Sequence, residues 1–87
     1  MEKFKKMLMQ HKCVCVEFPP IIPGNGSFFM RYHMDEHGNI RELYDYNRTV
    51  YFVCNIKDER SFNDCFYYMK DATKITPCTN NWYRHEA

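Results

Sequence analysis

The chain has 87 residues, of which 45% are hydrophobic and 17% aromatic, with 12 Lys and Arg against 11 Asp and Glu. This length predicts a single domain, and the composition excludes a disordered chain. The net charge of +1 argues against a nucleic-acid-binding protein. No stretch approaches the roughly 18 apolar residues of a membrane span. We therefore expect a monomeric domain whose partner is another protein, with no nucleic acid and no membrane insertion.

Residues 1–12 predict either a short amphipathic helix or a solvated basic arm. Phe4 and Leu8 fall near one face of such a helix, and lysines occupy much of the rest. The apolar centre is too short for the apolar region of a signal peptide, so we expect a cytosolic chain or a mature domain without its signal. The domain itself is expected at 13–79, followed by a tail at 80–87.

Four further segments predict strands, because apolar residues alternate or cluster between turn signals. These segments are 13–18, 27–34, 40–46 and 49–56, with turns at 23–26, 35–39 and 47–48. Gly38 and Asn39 suit the turn at 35–39, because both residue types tolerate positive φ. We expect Phe29, Val50 and Phe52 to be core residues.

The segment 61–71 is compatible with either helix or strand. Residues 61–64 have the composition of a helix cap, and Phe62, Phe66 and Met69 recur at helical spacing. The run of aromatic residues at 65–69 also has strand propensity. The fold class predicted from the sequence is therefore mostly β, a small disulfide-stapled antiparallel module. The alternative is an α+β domain with N- and C-terminal helices around a three- or four-stranded sheet.

Five cysteines and two N-glycosylation triplets favour an extracellular, secreted protein. The triplets begin at Asn25 and Asn47, and the cysteines lie at positions 13, 15, 54, 65 and 78. A domain of this size buries a modest core, so disulfide bonds would supply a large share of its stability.

Parts of the sequence resemble a complement control protein (CCP, or sushi) module. The likeness lies in the opening Cys15-x3-Pro19-Pro20 with Asn25-Gly26, in the tyrosine-rich segment 44–54 that ends at Cys54, and in Thr76-Pro77-Cys78. It covers about residues 15–78. The family's tryptophan between the third and fourth cysteines is missing, and Cys13 is an additional cysteine.

This resemblance implies a disulfide pairing of Cys15 with Cys65 and of Cys54 with Cys78. It also implies a protein-recognition function, with a receptor, a cytokine or a complement component as partner. The segments 38–44 and 65–70 further resemble atypical modules of secreted nematode immunomodulators, including mimics of TGF-β.

Tyrosine and arginine residues beside one predicted turn suggest where a partner would bind. Tyrosine and arginine dominate binding hot spots, and both types occur beside the predicted hairpin tip at 35–39. The predicted contact residues are Arg31, Tyr32, Arg41 and Tyr44.

Other chemistries receive less support from the sequence. Cys13, Cys15, His33 and His37 could supply four zinc ligands, but in a strand the two histidines would lie roughly 13 Å apart. We therefore expect no cofactor. The sequence contains no glycine-rich phosphate loop and no Cys-x-x-Cys redox motif, so we expect no enzymatic activity. The competing functional class is an intracellular α+β regulatory or inhibitory protein with reduced cysteines or a bound zinc.

Overall fold

The computed structural model describes residues 2–44 and 49–78. Its elements are α1 (Glu2–His11), β1 (Cys13–Phe18), β2 (Phe28–Met34), β3 (Asn39–Tyr44), β4 (Thr49–Asn55), α2 (Glu59–Cys65), a 3-10 helix (Tyr67–Asp71) and β5 (Lys74–Pro77). The four predicted strands are present within one or two residues of their expected bounds. The predicted turn at 47–48 and the predicted tail at 80–87 lie outside the described residues.

The five strands form one antiparallel sheet in the order β4-β3-β2-β1-β5. Strands β1 to β4 are joined in sequence as a meander, and β5 returns to pair with the free side of β1. One face of the sheet, called the inner face, packs against both helices and the 3-10 helix in a single core. The opposite face is called the outer face. The fold is therefore α+β rather than mostly β, which agrees with the class of the alternative prediction. The predicted three- or four-stranded sheet is too small, because the unpredicted strand β5 follows α2 and pairs with β1.

Helix α1 is part of this core. Its apolar spacing places Phe4 and Leu8 fully buried on one side, and the Phe4 ring packs edge-on against Tyr32 of β2 at 5.4 Å between centroids. Lys12, with a φ of 67°, turns the chain from α1 into β1 within one residue. The idea of a separate solvated arm at 1–12 is wrong, because the first turns of the chain supply core side chains.

Helix α2 resolves the ambiguity at 61–71 in favour of helix. Its N-cap is Asp58, whose carboxylate accepts hydrogen bonds from the Ser61 N–H at 3.1 Å and the Ser61 hydroxyl at 2.9 Å. Such a cap satisfies backbone donors that have no partner within the helix. Helical spacing then buries Phe62 and Phe66 against Phe4, with ring centroids 6.1 and 4.8 Å away.

Candidate binding surface

The strand register determines which side chains meet on the outer face. In one row across the sheet Phe52 lies opposite Arg41, Arg41 opposite His33, and His33 opposite Cys13. The next row contains Val50, Leu43, Arg31, Cys15 and Thr76, and the third contains Phe29, Glu17 and Lys74. Because side chains alternate between the two faces of a strand, these three rows share one side of the sheet.

Four of these residues form a diagonal band from β4 to β2. Phe52 is paired with Arg41, Arg41 is the diagonal neighbour of Arg31, and Phe29 precedes Arg31 by two positions on the same strand. Phe29 is 52% exposed and Phe52 is 62% exposed. This set, Phe29, Arg31, Arg41 and Phe52, is called the aromatic–arginine band. It presents two large apolar rings and two guanidinium groups on one side of the sheet.

Arg41 is held in place by the hairpin turn. Its Nη1 lies 3.0 Å from Oδ2 of Asp35, and Asp35 also accepts the backbone N–H groups of His37 and Asn39, each at 2.9 Å. Burial works against ionisation of Asp35, but these hydrogen bonds outweigh it and hold the pKa of the carboxyl well below its ordinary value. The turn therefore fixes the direction of the Arg41 guanidinium.

The structure does not place the predicted contact residues on a single surface. Arg31 and Arg41 lie on the outer face. Tyr32 is fully buried on the inner face, between Phe4 and Phe66, so its place in the predicted contact surface is wrong. Tyr44 is the last residue of β3, and its side chain is not among those that the structure describes.

The exposed rings of Phe29 and Phe52 correct a second expectation, because both were predicted to be core residues. Val50, the third, is half-buried and packs with Leu43 and Cys13 in a small outer-face cluster. The signal that could have found the band is parity: Phe29 and Arg31 are two positions apart, whereas Arg31 and Tyr32 are adjacent and must face opposite ways.

The cysteines, all within the described residues, are thiols and fall into two groups. Cys54 and Cys65 are on the inner side, where Cys65 packs against the core that contains Cys54. Burial, together with the neighbouring Cys65 thiol, raises the pKa of Cys54 to about 12. Cys13, Cys15 and Cys78 are at the outer face. The structure therefore brings together neither Cys15 with Cys65 nor Cys54 with Cys78.

The remaining predicted sites are the two glycosylation triplets and the candidate zinc ligands. Asn25 lies exposed in the loop between β1 and β2, next to Gly24, which has a φ of 92°. Asn47 lies outside the described residues. His33 is half-buried opposite Cys13, and burial lowers its pKa, whereas His37 lies exposed in the turn. In the ranges 2–44 and 49–78, no group of three or more His, Cys, Asp or Glu is arranged to hold a metal ion.

A second surface feature lies at the end of the sheet beside the β1–β2 loop. It is a shallow groove of about 550 Å³. The residues that line it include Pro19, Pro20, Ile21, Phe28, Tyr68 and Asp71. Ile21 and Ile22 extend the apolar surface, at 80% and 60% exposed. The groove has one acidic group and no nucleophile, so it offers apolar contact rather than chemistry.

No protein-family model matches the sequence, and neither does any curated protein sequence or solved structure. In the part of the chain that the structure describes, no helix is long and apolar enough to cross a membrane.

Proposed function

We propose that this protein works by recognising another protein through the aromatic–arginine band. The observation that carries the proposal is the exposure of Phe29 and Phe52 beside two arginines on one sheet face. Aromatic rings and arginine are the residue types that contribute most to protein–protein interfaces. The four residues of the band lie on the paired strands β2, β3 and β4. The backbone of the band is therefore already ordered and loses little conformational freedom when a partner binds.

The charge of the surface indicates the chemistry of the partner. Arg31, Arg41 and Lys74 lie on the outer face with Glu17, and Arg41 is paired with Asp35 of the adjacent turn. A partner with an apolar patch flanked by carboxylates would complement this arrangement. By the sushi resemblance, the partner would be a receptor, a cytokine or a complement component that meets a secreted monomer. The exposed position of Asn25 is compatible with a glycan there.

Testing this proposal requires a panel of partners and matched variants. The purified protein would be screened against receptor ectodomains, cytokines and complement components, and any binder titrated against Phe52→Ala and Arg31→Ala. We expect binding at least about tenfold weaker for both variants. Tyr67→Ala is the control, because Tyr67 is a 66% exposed aromatic residue on the 3-10 helix, away from the band. A partner whose affinity depends on Tyr67 but not on Phe52 or Arg31 would refute the assignment of the surface.

An intracellular regulatory protein is the second candidate, and the α+β fold with its thiol cysteines favours it. The two candidates differ in whether Asn25 is expected to carry an N-linked glycan, which is expected of the secreted protein alone. Expression in secreting cells followed by glycosidase treatment would show whether Asn25 carries a glycan, with Asn25→Gln as control. Occupancy supports the secreted module. Export without a glycan, together with five thiols that react with an alkylating reagent, supports the intracellular protein.

A further inference from the structure

The inner pair of cysteines is placed for a covalent bond between β4 and α2. Cys54 is 4% exposed on the inner face of β4, and Cys65 is the last residue of α2. The thiol of Cys65 lies 4.0 Å from the Val53 carbonyl oxygen, one residue from Cys54. Cys65 also packs against the core cluster that contains Cys54, and its thiol is near enough to raise the pKa of Cys54. Two cysteines can be bridged without backbone movement when their Cα atoms lie within about 7 Å of each other.

The outer group contains a second pair, on neighbouring strands. The register of β1 and β5 pairs Val14 with Pro77 and Cys15 with Thr76, so Cys13 lies opposite Cys78. The Cys78 N–H donates to the Cys13 carbonyl oxygen at 3.0 Å. Hydrogen-bonded partners on antiparallel strands have Cα atoms about 5.5 Å apart, which is within the usual range for a disulfide.

Cys15 is less well placed for Cys78, although its thiol is near enough for Cys78 to affect its ionisation. It is two positions further along β1 and therefore diagonal to Cys78, which typically separates the Cα atoms by roughly 7–8 Å. A bridge over that distance would require backbone movement. The sheet itself lies between this outer group and the inner pair.

From these positions we propose that oxidation joins Cys54 to Cys65 and Cys13 to Cys78, and leaves Cys15 as a thiol. This pairing differs from the one that the sushi resemblance implies, which would link cysteines on opposite faces of the sheet. The pairing follows from the fold alone and does not rest on the aromatic–arginine band.

The oxidant is a small-molecule disulfide such as glutathione disulfide. A protein thiolate attacks one sulfur of that disulfide, forms a mixed disulfide and releases one glutathione thiolate. The second cysteine then attacks the protein sulfur of the mixed disulfide and releases the other glutathione. Two protein S–H bonds and one S–S bond are lost, one protein S–S bond forms, and the two protons pass to the released glutathione thiolates.

Half-buried Cys65 is the accessible entry point for the inner pair, and Cys54 completes the bond from within the core. Because burial raises the pKa of Cys54 to about 12, very little of it is thiolate near neutral pH. The second step is therefore expected to accelerate as the pH rises.

The experiment is peptide mapping of the native protein after incubation with glutathione disulfide, alkylation and digestion with trypsin without reduction. Trypsin separates Cys54 from Cys65 by cutting after Lys57 and Arg60, and places Cys78 on another peptide. Cys13 and Cys15 share one peptide, 13–31, so Cys13→Ser and Cys15→Ser are compared. A parallel sample in denaturant shows which links do not depend on the fold.

In the native sample we expect the Cys54–Cys65 link in roughly tenfold excess over any other link to Cys54, and a loss of that preference in denaturant. Cys15→Ser should retain the link between β1 and β5, and Cys13→Ser should lose it. Cys65→Ser should lose only the inner link. Links from Cys15 to Cys65 or from Cys54 to Cys78 would overturn the proposal, as would five alkylated thiols in a folded sample.

Discussion

The hydroxyl oxygens of Tyr32 and Tyr68 lie 2.6 Å apart, and their hydrogen bond joins the middle of β2 to the 3-10 helix. Tyr32 is fully buried, so loss of this partner removes a hydrogen bond inside the core. We expect Tyr68→Phe to lower the free energy of unfolding by about 1 kcal/mol. Tyr67→Phe is the control, because its side chain is exposed and should be neutral. Urea denaturation of both variants measures the difference.

Phe4 tests whether α1 is a structural part of the domain. Its ring contacts Tyr32, Phe62 and Phe66, so Phe4→Ala opens a cavity among these three rings. We expect a loss of about 3–5 kcal/mol in the free energy of unfolding. Met9→Ala, on the exposed side of the same helix, should have little effect. Equal effects of the two variants in thermal denaturation would mean that α1 is not docked.

Gly38 is required by the turn between β2 and β3. Its φ is 85°, and an added Cβ would lie 3.0 Å from Cγ2 of Ile56 and 3.2 Å from Oδ1 of Asn55. Gly38→Ala should therefore destabilise the domain by about 1–2 kcal/mol. Gly26→Ala is the matched control, since an added Cβ there meets nothing within 4 Å. The comparison is made by the urea midpoint of each variant.

Asp35 should make the free energy of unfolding decrease as the pH falls through the acid range. Its folded pKa lies below the ordinary value of 3.8, so its ionised form contributes stability above that pH, and the contribution is lost as the pH falls below it. Asp35→Asn keeps an oxygen that can accept the backbone N–H groups but loses the charge that pairs with Arg41. We expect the variant to be less stable than the wild type at neutral pH, with the difference shrinking toward low pH. A difference that stays constant with pH would show that charge is not its cause.

Glu42 should have the opposite effect, so that the free energy of unfolding decreases as the pH rises. It faces the inner side beside Tyr32, and among the described residues none donates a hydrogen bond to its Oε1. Burial raises its pKa above 4.5, so the folded state takes up a proton more readily, and its contribution to stability is lost as the pH rises through the folded pKa. Glu42→Gln should therefore stabilise the protein at neutral pH by about 1 kcal/mol. Glu36→Gln, at an exposed carboxylate, is the control in the same pH series.

The strands were predictable from the sequence, because alternation and turn residues are local signals. In β1, Val14, Val16 and Phe18 alternate with less apolar residues and are buried as that pattern predicts. In β2 and β4 apolar residues occupy both parities, so the sequence does not show which face is inside. The assignment of Phe29 and Phe52 to the core failed for this reason.

The helices and the site depended on tertiary contacts that no local pattern contains. Cys65 and Phe66 suit a strand as well as a helix, and the cap at Asp58 together with packing against Phe4 decides between them. The two groups of cysteines depend on the return of β5 to β1, which nothing in the spacing of the cysteines predicts.

That return also has a consequence for how the domain folds. Every pairing of β5 with β1 joins residues about 60 positions apart, whereas the pairings of β1 to β4 are between consecutive strands. Closing so long a segment costs more chain entropy than closing a hairpin. Strand β5 is therefore expected to join the sheet last and, with only four residues, to be the first strand to leave it.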